Sequence, residues 1–169
     1  MAKWLKGGIL AMILIIAGNA IYVTVPAYFG KREDPRNAKV TMVAYLRWGV
    51  DPTTVVIDLL DVNYATSPAD VTRTMLDIAK ALKGRSFTTA QMAFRGNAKF
   101  QMDGSYFRKL GEEREWQNPV YTIRTLPENL RTPDGRPAFG TWTGGWLGVM
   151  GKQMEDHNEM HRLWYIKDL

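Results

Sequence analysis

The residues with the most obvious chemical potential lie near the end of the chain. In "QMEDHNEMHRLW", His157 and His161 are four apart, so on a helix both imidazoles face the same way. That spacing can hold a metal ion, with further ligands from another segment or subunit. The metalloprotease version needs a general-base Glu directly after the first histidine; Asn158 stands there instead. Leu147, Met150, Met154, His157, His161 and Trp164 also recur at steps of three and four, one apolar helical face. The spacing therefore favours packed, hydrogen-bonded histidines, with a metal site at His157 and His161 as the sharper alternative.

The acidic candidates are Asp58 and Asp61. Asp61, with Asn63 and Tyr64, follows an apolar run and is placed to form a pocket lip. Asp58 falls inside that run and needs a partner if buried; Arg95, Lys99 and Arg124 are the basic candidates for a structural ion pair. "GTWTGGWLGVMGK" is glycine-rich, but Gly145 to Gly151-Lys152 is one residue too long for a phosphate loop, and Gln153 replaces the Ser or Thr that would bind magnesium. Trp142 and Trp146 beside it read as core or as contacts for a partner. Ser67 and Ser105 open helices and belong to no nucleophile elbow. No catalytic set emerges, no cofactor is expected, and the absence of cysteine excludes disulfides and thiolate metal sites.

The elements that must carry these residues begin with an uncharged stretch, "GGILAMILIIAGNAIYVTVPAYFG". Ile9 to Phe29 as a helix reaches about 30 Å, the thickness of a hydrocarbon core. Ile9, Leu14, Ile15 and Ile16 supply its apolar bulk, with Trp4 at one end and Tyr22 and Tyr28 toward the other, where amphipathic rings favour the interface. The rival reading is a cleaved signal peptide with Lys3 and Lys6 as its basic region. The apolar run continues past the candidate cleavage site at Gly18-Asn19-Ala20, so an uncleaved anchor is expected. Gly7, Ala11 and Gly18 lie on one face and would let a partner helix approach closely.

Charge agrees with this division. Residues 1–39 hold six basic and two acidic side chains; the remainder holds sixteen and fifteen. The basicity flanks the apolar segment, and the folded part offers no field for nucleic acid. The expected organisation is an anchor over 1–30, a polar linker over 31–39 and one α+β domain over 40–169. A short amino-terminal tail favours a domain on the periplasmic or outer side of the cytoplasmic (inner) membrane.

Within the domain, Val55–Val62 reads as a strand covered on both faces. Ser67 caps a helix with Pro68 at its first position and Val71, Met75, Ile78 and Leu82 on its apolar face, ending by Gly84. "FTTAQMAFRGNAKFQM" reads as a hairpin turning at Gly96-Asn97. Asp103 opens a short helix, Pro119–Thr125 a strand, Ala138–Thr143 a further strand, and a long helix runs from Trp146 to Ile166. Val40–Trp48 fits a short helix or an extended segment equally. The resulting order, β-α-β-β-α-β, is that of a ferredoxin-like layer. The function this supports is a single-span accessory subunit whose partners are other membrane protein subunits and the lipid bilayer. The alternative is a membrane-tethered enzyme or cofactor binder using His157 and His161.

Overall fold

A computed structural model of the chain describes residues 2–169, apart from the side chains of residues 2–6, Ile9, Ala11, Trp146 and Leu147. The expected roles of Trp4, Ile9, Ala11 and Trp146 thus fall outside the described residues.

The apolar segment forms one helical rod. Helix α1 (Ala2–Asn19) passes through a π-helical turn (Ala20–Thr24) into α2 (Val25–Arg32). Pro26 lies inside the continuous rod, just past the π-helical turn, and has no N–H to give the ladder; the carbonyl four residues back, that of Tyr22, accepts from Arg85 Nε–H at 3.3 Å. The two ends of the rod differ. From Met12 to Gly18 the side chains are exposed, whereas Val23, Ala27 and Gly30 are buried against the domain. Residues 31–39, expected as a linker, extend the helix to Arg32 and then form a 3-10 turn, Pro35–Lys39, in which Asn37 is buried.

The domain is α+β, with a four-stranded mixed sheet. Strands β1 (Val40–Arg47), β2 (Asp51–Val62), β3 (Thr89–Phe94) and β4 (Asn97–Asp103) lie side by side in chain order. β1 and β2 form an antiparallel hairpin, as do β3 and β4. β2 and β3 run parallel, joined through α3 (Pro68–Leu82). Alternation along β1 buries Val40, Met42, Ala44 and Leu46 and leaves Thr41, Val43, Tyr45 and Arg47 partly or fully exposed. β2 is buried continuously from Thr54 to Leu59, as expected of a central strand. Helices α2, α3 and α4 (Gly104–Glu113) pack in succession against the sheet.

The capping box of α3 is complete. Asp70 N–H donates to Ser67 Oγ and Ser67 N–H to the Asp70 carboxylate. Gly111 falls near the end of α4, which runs on to Glu113. It lies within the helix where a Cβ would meet the Ala79 carbonyl oxygen at 2.3 Å, so glycine permits the close approach of α4 to α3. Asp103 stands at the N-cap of α4 without capping it through its side chain.

The structure departs from expectation in four places. Residues 119–125 are helix α5 (Pro119–Thr125), not a strand. Asn118 Oδ1 accepts from Val120 N–H at 2.9 Å and Pro119 takes the first helical position, so the cap outweighs the β-branched run that follows. Residues 138–143 form no strand. Instead Arg131 bridges Gln101 at the free edge of β4. The hairpin turn falls at Arg95-Gly96, one residue early, with both residues at positive φ. With β1 ahead of β2 and a helix at 119–125, the observed order departs from the ferredoxin-like one. Helix α6 (Trp146–Trp164), with Met160 and Trp164 in the core, is followed by a 3-10 turn, Ile166–Asp168.

One polar side chain in the apolar rod has a structural task. Asn19 Oδ1 accepts the backbone N–H of Leu46 on edge strand β1, at 2.8 Å. Asn19→Ala should cost about 1–3 kcal/mol, because that N–H loses its partner. A thermal melt of the full chain in detergent checks it; an unchanged midpoint would contradict the assignment.

Candidate functional site

The two histidines converge as the helical spacing requires. Helix α6 places the Nε2 atoms of His157 and His161 3.2 Å apart, and Thr72 of α3 brings its hydroxyl to 3.0 Å from His161 Nε2 and 3.4 Å from His157 Nε2. All three residues are buried. At this separation one Nε2 carries a proton and the other accepts. His161 Nδ1 is buried without a partner. A lone pair stranded there costs less than a stranded N–H, so the economical arrangement has His161 Nε2–H donating toward Thr72 and His157. Burial depresses the His157 imidazole to about 4. Burial, then the neighbouring His157, depresses His161 to about 3. Both rings are neutral at neutral pH, and the cluster pins α6 to the start of α3.

A second polar cluster fixes the foot of the helical rod. Asn37 Nδ2 donates to Asp77 Oδ2 at 2.7 Å and to the Lys31 carbonyl at 2.9 Å, while its Oδ1 accepts from Thr74 Oγ1 at 3.0 Å. Arg114 Nε donates to Asp77 Oδ1 at 2.7 Å. The turn after α2, helix α3 and the end of α4 are thus joined through Asp77.

Asp58 meets none of the basic partners expected for it. It accepts from Tyr45 Oη at 3.0 Å and from Gly96 N–H at 3.0 and 3.1 Å. These bonds satisfy a buried carboxylate without a salt bridge, and burial with the Asp58 contact pushes the Tyr45 phenol up to about 12. Asp61 is exposed, 3.8 Å from Arg95, and Tyr64 is fully exposed, so no enclosed lip forms around them. Trp142 is exposed and ties itself to α6 through Nε1–H to Asp156 at 2.6 Å.

No family model, curated protein or solved structure matches this chain.

The site therefore rests on geometry alone. Among the described residues, no three His, Cys, Asp or Glu side chains group as metal ligands, so the histidine pair stands with Thr72 and no third ligand of that kind. The rod holds one stretch apolar enough to cross a membrane, Met12–Arg32, near the amino terminus, with mean hydropathy 1.8. Leu14, Ile15 and Ile16 project free of the domain, and a Cβ at Gly7 or Gly18 would meet nothing within 4 Å. Tyr22 and Tyr28 belong to the part of the rod nearest the domain. The Tyr22 ring packs edge-on to Phe87 at 6.2 Å beneath the Arg85 guanidinium, and Tyr28 Oη accepts from Arg32. Sequence reasoning missed Thr72, Asn37 and Asp77, whose roles depend on long-range neighbours. Asn19 did carry a signal, as a polar side chain inside an apolar run.

Proposed function

We propose that the chain is a single-span subunit that docks on a larger membrane assembly, with its domain on the outer side of the cytoplasmic membrane. The observation that carries this reading is the free half of the rod. It is uncharged from Gly7 to Gly18, clear of the domain, and carries open small residues where a neighbouring helix could approach. Ile21, Val25 and Phe29 continue an exposed apolar line beside the domain. The domain supplies polar clusters that fasten elements together, which suits a part that positions and stabilises.

Gly18→Leu separates this role from folding. A Cβ at this exposed position meets no atom of this chain within 4 Å, so the unfolding midpoint should stay unchanged, while a partner helix would be held off. Native electrophoresis of mild-detergent extracts from the source membranes should show wild type in a complex well above its own 19.2 kDa, and the variant released from it. Wild type running as a lone monomer, or the variant staying fully incorporated, would remove the proposal. Protease added to intact cells tests the side: the domain should be cleaved from outside.

A further inference from the structure

The rod enters the domain without a hinge, and this bears on what its neighbouring loops must touch. Helix α1, Ala2–Asn19, rises about 27 Å, close to the thickness of a hydrocarbon core, with Lys3 and Lys6 in its first turns. The domain first meets the rod at the end of that helix, where Asn19 holds Leu46. The pole from which the rod emerges is therefore held at the depth of the lipid headgroups.

Two loops flank the rod at that pole. The β1–β2 turn is fixed by the Asn19–Leu46 bond and carries Arg47, Trp48 and Val50. The α3–β3 loop is fixed by Arg85 Nε–H donating to the Tyr22 carbonyl at 3.3 Å, and carries Lys83, Arg85 and Phe87. Trp48 is 76% exposed and Val50 53%. Trp48 also adopts φ +56°, a left-handed conformation that a bulky side chain resists and that Asn or Gly would take readily. Among the described contacts its ring meets the Arg47 guanidinium, 4.0 Å from the ring centroid. An indole kept at a strained, solvent-facing turn position beside arginines has the chemistry of an interfacial anchor: an apolar ring, one N–H donor and cations for lipid phosphates.

We propose that the β1–β2 turn, led by Trp48 and Val50 and bordered by Arg47 and Arg85, is a lipid-contacting platform that seats the domain on the bilayer surface around the root of its own span. This rests on the single-span reading, and the test keeps the two apart. The chain has no cysteine, so single cysteines can be introduced and labelled with an environment-sensitive fluorophore in the full-length protein. The protein is reconstituted in phosphatidylcholine vesicles with a minority of phosphatidylglycerol, containing lipids spin-labelled near the headgroup or deep in the acyl chain.

A label at Leu14→Cys should be quenched by the deep spin label. A label at Val50→Cys should be quenched several-fold more by the shallow label than one at Tyr64→Cys. Leu14 quenched with Val50 no different from Tyr64 overturns the platform alone; Leu14 unquenched overturns the span and the platform with it. Trp48→Asn combined with Val50→Cys gives the second readout. It should unfold at or above the parent midpoint, because the turn is relieved, and lose quenching at Val50. A lower midpoint with unchanged quenching would make Trp48 a folding residue and overturn the platform.

Discussion

Lowering the pH from 7 to 5 should cost the folded chain about 2 kcal/mol for each of His157 and His161, read as a fall in the urea midpoint of the full chain in detergent. The sign follows from proton uptake. Unfolded imidazoles take up protons near pH 6.5, whereas the folded ones wait until about 4 and about 3. Between these values the unfolded state binds more protons, so the stability fully present above 6.5 drains away as pH falls. The carboxylates held low by hydrogen bonds, such as Asp34 with Arg36 and Asp70 with Ser67, lose their contribution only at more acid pH. Glu128, raised by burial, works in the opposite sense. His157→Gln with His161→Gln should flatten the profile between pH 7 and 5. An unaltered slope in the double variant would mean that the pair is not the source.

The second large effect is expected at Asp77. Asp77→Ala strips a partner from the buried Asn37 amide and from the Arg114 guanidinium together, and should destabilise by about 3 kcal/mol or more. The loss should be local first. Amide exchange along α2 and the 3-10 turn should quicken before that of β2 and β3, because Asp77 joins the rod to α3 and α4. Asp77→Asn retains an acceptor oxygen and should fall between the two. Equal protection of α2 in wild type and Asp77→Ala would show that apolar packing at Val23 and Ala27 holds the rod alone.

What could be read from the sequence followed the range of the forces involved. The capping box at Ser67 and Asp70 is complete within four residues, and α3 forms where its pattern indicates. The α6 spacing correctly set His157 and His161 on one buried face, although Met154 on the same stripe is marginally exposed. The same capping logic is present at Asn118-Pro119, where the β-branched residues that follow favour a strand by propensity alone. Val40–Arg47 was undecided because a strand at a sheet edge earns its identity from β2 and from Asn19, neither of them local. Asp58 shows the limit for sites. A buried carboxylate implies a partner, yet whether that partner is a cation, a phenol or a backbone amide depends on which turn folds over it. Here the positive φ of Arg95 and Gly96 aims the Gly96 N–H at Asp58.

The π-helical turn at Ala20–Thr24 sets a direction in space. A π turn accommodates one residue more than an α turn, and in an α-helix each residue advances the azimuth by about 100°. The wider turn absorbs its extra residue, so the clamped domain end hands the free half nearly the bearing that an unbroken α-helix would give it. Inserting one alanine between Gly18 and Asn19, where no wide turn absorbs it, would leave the free half just as greasy while swinging its small-residue flank by about 100°, away from any neighbour aligned to the present bearing.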